Sequence, residues 1–150
     1  MNEQQTPYEL IGGEAGVRRL VDLFYDHMDT LESVKTVREM HARSLRASRE
    51  KLFKFLSGWL GGPDLYVQEY GHPRLRARHL PFSIGVAERD QWMQCMRLAL
   101  DDMQLEARLR DKLEDAFMKT ADHMRNRAEH EEGAGLKIFP GTAPSQQNRD

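Results

Sequence analysis

The stretch GHPRLRARHLPFSIG, residues 71–85, decides how the rest of the chain is read. Pro73 and Pro81 bracket a piece with room for no more than about two helical turns, because proline ends a helix and also restricts the residue before it. Inside that piece Leu75 and His79 stand at an i, i+4 spacing and share one face, while Arg74, Arg76 and Arg78 spread around the edge. An imidazole is thus set between a basic rim and the apolar residues Phe82 and Ile84. On this pattern alone His79 can be a hydrogen-bonded core residue or a ligand.

Outward from this stretch, helical periodicity recurs and strand alternation does not. Val17, Leu20, Val21, Phe24, Tyr25 and Met28 repeat on one helix face behind the turn signal Gly12-Gly13, which predicts a helix over 14–29. A second apolar stripe runs from Leu45 through Leu52, Phe53, Phe55, Leu56, Trp59 and Leu60. Ser44 or Ser48 opens it, and Gly61-Gly62-Pro63 stops it. Residues 64–72 show no clear period. After Gly85, one stripe carries Trp92, Cys95, Met96, Ala99, Leu100 and Met103, and the next carries Leu109, Leu113, Ala116, Phe117, Ala121 and Met124. The expected architecture is all-α, with about four substantial helices and an irregular segment between the second and third. So long a connection in a compact domain usually has a use. Residues 131–150, rich in Gly, Pro, Gln and Asn, are expected to form a flexible tail after a domain spanning 1–130. No internal repeat is evident.

Composition narrows the function classes. The chain has 150 residues, and 39% of them are hydrophobic, enough for one domain with its own core. The balance of 22 Lys+Arg against 24 Asp+Glu gives a net charge of −2, so no global basic field draws a nucleic acid or an anionic membrane. RLRAR is too local to act as a nucleic-acid contact without a recognition helix. The single cysteine, Cys95, lies on an apolar stripe and reads as a small core side chain. With no apolar run of about 18 residues and no secretory segment, the expected setting is a reducing cytosol. His72 and His79 have neither a cysteine pair nor a close third ligand, so their spacing is not that of a zinc site.

Haem asks for a neutral imidazole nitrogen, an apolar slot for the macrocycle and cations at the rim for two propionates. The segment around His79 supplies all three. The longer run YGHPRLRARHLPFSIGVAERDQWMQCM, with GWLGGPDLY before it, resembles the signature region of the group II truncated haemoglobins. The likeness spans roughly residues 7–127. It rests on Gly12-Gly13, Phe24-Tyr25, Gly61-Gly62-Pro63, Arg78-His79 followed by Pro81-Phe82, and Trp92, all in the same order.

That resemblance implies a truncated globin-like two-over-two helical sandwich enclosing a b-type haem (iron protoporphyrin IX), with the proximal histidine on a very short helix. Position by position, it makes His79 the iron ligand, and Tyr25 and Trp92 hydrogen-bond donors on the distal side. His41, or in an alternative alignment Met40, becomes the third distal residue, with extra loop residues near Thr30–Lys35. Ser48 and Leu52 line the distal wall, and Ser48 is small enough to leave that entrance open. Phe55, Leu56, Phe82 and Ile84 are implied apolar contacts, with Tyr66 at the loop edge. Arg78 is the first choice for the propionates, and Arg76 and His72 are further candidates.

The implied function is binding of dioxygen, nitric oxide, carbon monoxide or peroxide. Tyrosine and indole donors aimed at a ligand that gains negative charge would each contribute about 1–3 kcal/mol and slow its release. This favours oxygen, nitric oxide or peroxide redox chemistry over bulk transport, the alternative being oxygen storage, transport or sensing without turnover. Nitric oxide dioxygenase or peroxidase-like activity would need an external reductase, since no flavin or dinucleotide motif is present. The expected protein is a monomer or weak homodimer.

Overall fold

The structure is a computed structural model and describes residues 5–127. The expected tail at 131–150 lies outside the described residues. Those described form helices and turns without a strand. The chain opens with a one-turn helix, α1 (Pro7–Leu10), capped by a reciprocal pair of bonds between Thr6 and Glu9. Gly12 takes φ 110° and turns the chain into α2 (Gly13–Thr30). A 3-10 turn (Glu32–Val34) and α3 (Lys35–Glu39) lead to α4 (Arg46–Trp59).

α4 stops where Gly61 adopts φ 101°, and its Ser57 hydroxyl donates to the Pro63 carbonyl at 2.6 Å. Then follow α5 (Leu65–Tyr70), α6 (Leu75–His79), α7 (Val86–Met103) and α8 (Ala107–His123). The four long helices sit where periodicity predicts them. The connection expected to be irregular instead holds α5 and α6, too short to reveal a 3.6-residue period. The same reason hides the 3-10 turn in the loop expected near Thr30–Lys35 and α3 directly after it.

α2 packs on α7 and on α4, and α7 packs on α8, so two helical pairs lie against each other. Their shared core holds Val17, Leu20, Phe24, Met28, Met93, Met96 and Leu100, all essentially solvent-free. Cys95 is fully buried among them, as its stripe predicts. α6 contributes no buried residue. It is held against the bundle by polar contacts, Arg76 to the His123 and Arg125 carbonyls and the His79 carbonyl to Asn126.

Candidate functional site

Phe24 is the hinge of the expected distal group. Its ring centroid is 4.8 Å from that of Tyr25 on the same helix and 4.9 Å from that of Trp92 on α7. The His41 ring stands edge-on to Tyr25, 5.9 Å away. Helices α2 and α7 and the turn after α3 thus bring Tyr25, Trp92 and His41 together. Ser48 on α4 hydrogen-bonds the Tyr25 phenol, and the Arg49 guanidinium lies 5.8 Å from its ring. Arg49 is fixed in turn by Asp22 at 3.0 Å and Asp26 at 2.9 Å, tying α4 to α2 beside the site. Burial outweighs the Arg49 charge and the Ser48 bond, and drives the phenol pKa well above its ordinary value. Tyr25 therefore remains a neutral donor.

The two candidate iron-side imidazoles are oriented by backbone carbonyls. His79 Nδ1 donates to the Leu75 carbonyl at 2.7 Å, one helical turn back, which leaves Nε2 as the lone-pair nitrogen. His41 Nδ1 makes the same kind of bond to the Val37 carbonyl at 2.9 Å. Burial lowers the His41 pKa against the raising effect of the bond to the Val37 carbonyl, and the nearby Arg38 charge lowers it further, so this ring is favoured in its neutral form.

Two positioning residues carry no signal in local pattern. The Asn126 side chain accepts from Ile84 N at 2.9 Å and donates to the His79 carbonyl at 3.2 Å, clamping both ends of the turn after α6. Gln91, beside Trp92, accepts from Val37 N at 3.0 Å and so holds the turn that carries His41. Both act through tertiary contacts that sequence spacing does not encode.

The remaining expected residues divide by place. Leu52 and Phe55 are half-buried on the α4 face that also carries Ser48. Leu56, 1% exposed, is already enclosed by protein in the core. Ile84 is buried, whereas Phe82 and its neighbour Leu80 are 41% and 45% exposed, leaving apolar surface beside His79 for something else to cover. Tyr66 is buried, with its ring 4.7 Å from that of Tyr70. Arg78 lies 5.9 Å from the Tyr66 ring and spends its Nε on the Pro73 carbonyl at 2.7 Å. Lys51, which sequence reading passed over, reaches the same tyrosine pair with Nζ 5.5 Å from the Tyr70 ring.

Arg76 and His72 are engaged elsewhere. Arg76 donates to the His123 and Arg125 carbonyls, both at 2.8 Å, so it ties α6 to the end of α8. His72 Nδ1 accepts from the Arg74 backbone.

Among the described residues no group of three or more His, Cys, Asp or Glu is assembled to hold a metal ion by protein alone. One imidazole nitrogen, an uncovered apolar surface and two cations flanking a tyrosine edge instead suit a planar, apolar macrocycle that brings its own iron and two carboxylates.

The sequence pattern of the bacterial-like globin family matches residues 6–126. A group 2 truncated haemoglobin of Bacillus subtilis (strain 168) is 41% identical over 126 residues, covering 84% of this chain and 92% of that protein. The solved structure of a cold-adapted truncated haemoglobin from Pseudoalteromonas haloplanktis TAC125 is 48% identical, with a TM-score of 0.81, over 83% of this chain and all of that one. A truncated oxygen-avid haemoglobin from Bacillus subtilis superposes with a TM-score of 0.73 at 40% identity, over 81% of this chain and 99% of its own.

Proposed function

From the premise that this chain belongs to the bacterial-like globins, and among them to the group II truncated haemoglobins, we propose that it binds haem b through His79 and retains dioxygen tightly for redox chemistry rather than carrying it. The observation that carries the reading is the run of ring contacts from Trp92 to Phe24, Phe24 to Tyr25 and Tyr25 to His41, which gathers the expected distal residues. Haem would supply a ferrous iron that binds small gases. His79 would hold it by Nε2, with Nδ1 kept on the Leu75 carbonyl so that the ligating nitrogen stays basic. Arg78 and Lys51 would meet the propionates, and Leu52, Phe55, Ile84 and Phe82 would enclose the ring. Noncovalent binding fits a chain whose single cysteine is buried in α7 and which has no C-x-x-C-H run.

The chain's own chemistry on the distal side is donation. A neutral Tyr25 O–H and the Trp92 indole N–H stabilise a ligand that gains negative charge, and the neutral His41 ring can accept or relay a proton. The B. subtilis structure that superposes on this one is described as oxygen-avid, which favours the same behaviour here. Slow release suits dioxygen meeting nitric oxide in place, the products being nitrate and an oxidised centre that an external one-electron reductant must restore. Haem-loaded, reduced protein in air is therefore expected to yield about one nitrate per chain when mixed with nitric oxide, and to turn over only with added reductant. Rapid oxygen loss with no nitrate would favour the carrier role instead.

A further inference from the structure

α6 carries His79 yet buries none of its own residues, and its N-cap, Arg74, makes no side-chain bond to the first turn. A helix of 5 residues is too short to hold itself in place, so what α6 is tied to decides where His79 stands. The ties converge on the chain leaving α8. Arg76 reaches the His123 and Arg125 carbonyls, and one residue further on the Asn126 side-chain amide donates to the carbonyl of His79 itself. The bond from His79 Nδ1 to the Leu75 carbonyl fixes the rotation of the ring within α6, but it moves with the helix and cannot say where the helix lies.

Asn126 does more than cap that carbonyl. Its Oδ1 accepts from Ile84 N at 2.9 Å, and its own backbone N–H donates to the Ile84 carbonyl at 2.8 Å. These partners fix the way the side-chain amide faces, because a backbone N–H can only donate and a carbonyl can only accept. One planar group therefore spans from His79 to Ile84, the buried apolar residue expected against the ring. The next residue anchors the bridge: Arg127 donates to the Ser83 hydroxyl at 3.2 Å and to Glu88 Oε1 at 2.8 Å, and the same oxygen accepts from Gly85 N at 2.8 Å where α7 begins. Asn126 is thus held against α7 and cannot simply follow α6 if that helix shifts.

We propose, resting on the reading that His79 holds haem, that Asn126 is the positioning residue of the iron ligand. It sets the approach of Nε2 to the iron, so the strength of the iron–histidine bond and the retention of haem are governed by the turn after α8 and not by α6 alone. The distal donors on α2 and α7 lie outside this bridge and are untouched by it.

The test compares wild type with Asn126→Asp, which keeps the acceptor for Ile84 N but sets an oxygen against the His79 carbonyl. In the reduced, haem-loaded protein, resonance Raman scattering reads the iron–histidine band, and transfer to excess apomyoglobin reads haem loss. The band is expected to shift or broaden, and haem to leave about three- to tenfold faster, the worth of one hydrogen bond. The C–O stretch of the carbon monoxide complex, which reports the distal donors, should stay where it is. An unchanged iron–histidine band in the folded variant would overturn the inference whatever the rate of haem loss, and so would a C–O stretch that moves in step with the band. Asn126→Ala, uncharged, is read in the same way and decides if the carboxylate hinders folding. Should the wild type take up no haem, the gas-binding reading fails by itself. Amide hydrogen exchange of the chain as purified then decides: residues 75–84 should exchange faster in Asn126→Asp while α2 and α7 do not change, and equal exchange would overturn the positioning role.

Discussion

Replacing Tyr25 by Phe isolates the donor on which slow ligand release depends. The ring is 6% exposed and packs edge-on against Phe24 at 4.8 Å and His41 at 5.9 Å, contacts that phenylalanine preserves. Only the hydroxyl is lost, together with its bond to Ser48. Because burial raises the phenol pKa, the wild-type group keeps its proton at neutral pH and can donate. A hydrogen bond to a charged partner is worth about 1.5–3 kcal/mol net. At about 1.4 kcal/mol per factor of ten, oxygen should leave Tyr25→Phe about 10- to 150-fold faster. Stopped-flow replacement of oxygen by excess carbon monoxide in the reduced, haem-loaded protein measures this. Carbon monoxide release, from a ligand that gains little charge, should change much less. An oxygen dissociation rate within twofold of wild type, in a variant with unaltered circular dichroism, would show that Tyr25 does not donate to the ligand.

Three further outcomes follow from other parts of the structure. A Cβ at Gly16 would stand 1.9 Å from the Ile11 carbonyl oxygen and 2.6 Å from its carbon, backbone atoms that cannot swing away, so Gly16→Ala should lose about 3 kcal/mol in urea unfolding. Hydrogen bonds from Arg97 and then Arg110 hold the Glu114 carboxyl below its ordinary value. Its stabilisation is therefore present above about pH 4.3, where the unfolded side chain ionises, and fades as pH falls toward the lower folded value. Glu114→Gln should accordingly show a shallower acid loss of unfolding free energy than wild type. Burial pushes the Cys95 thiol up to about 11, so a disulfide-exchange reagent at pH 8 should label it only after denaturation, and prompt labelling of native protein would contradict its place in the core.

The long helices were legible because each presents several turns of one apolar face, as in Val17, Leu20, Val21, Phe24 and Met28. His79 stands out in the sequence as a candidate because two prolines isolate it, and Tyr25 and Trp92 become candidates only through the family resemblance, since their spacing alone is that of ordinary core aromatics. Helices α3 and α5 escaped notice, since five or six residues do not establish a period. Arg76 shows a different limit. An arginine near a histidine reads equally well as a ligand for an anion or as a cap for backbone carbonyls, and only the path of α8 shows that it binds the His123 and Arg125 carbonyls. Asn126 and Gln91 position the site from across the fold, where no spacing rule connects them to His79 or His41.

The most direct test of the account is the absorption and resonance Raman spectrum of the reduced protein reconstituted with haem, beside His79→Gly with and without added imidazole. Stoichiometric haem uptake is expected, with an iron–histidine band in wild type that the variant lacks and that imidazole restores in position. No stoichiometric haem uptake by the wild type, or the same iron–histidine band in His79→Gly without imidazole, would contradict the assignment of His79 as the residue that holds the iron.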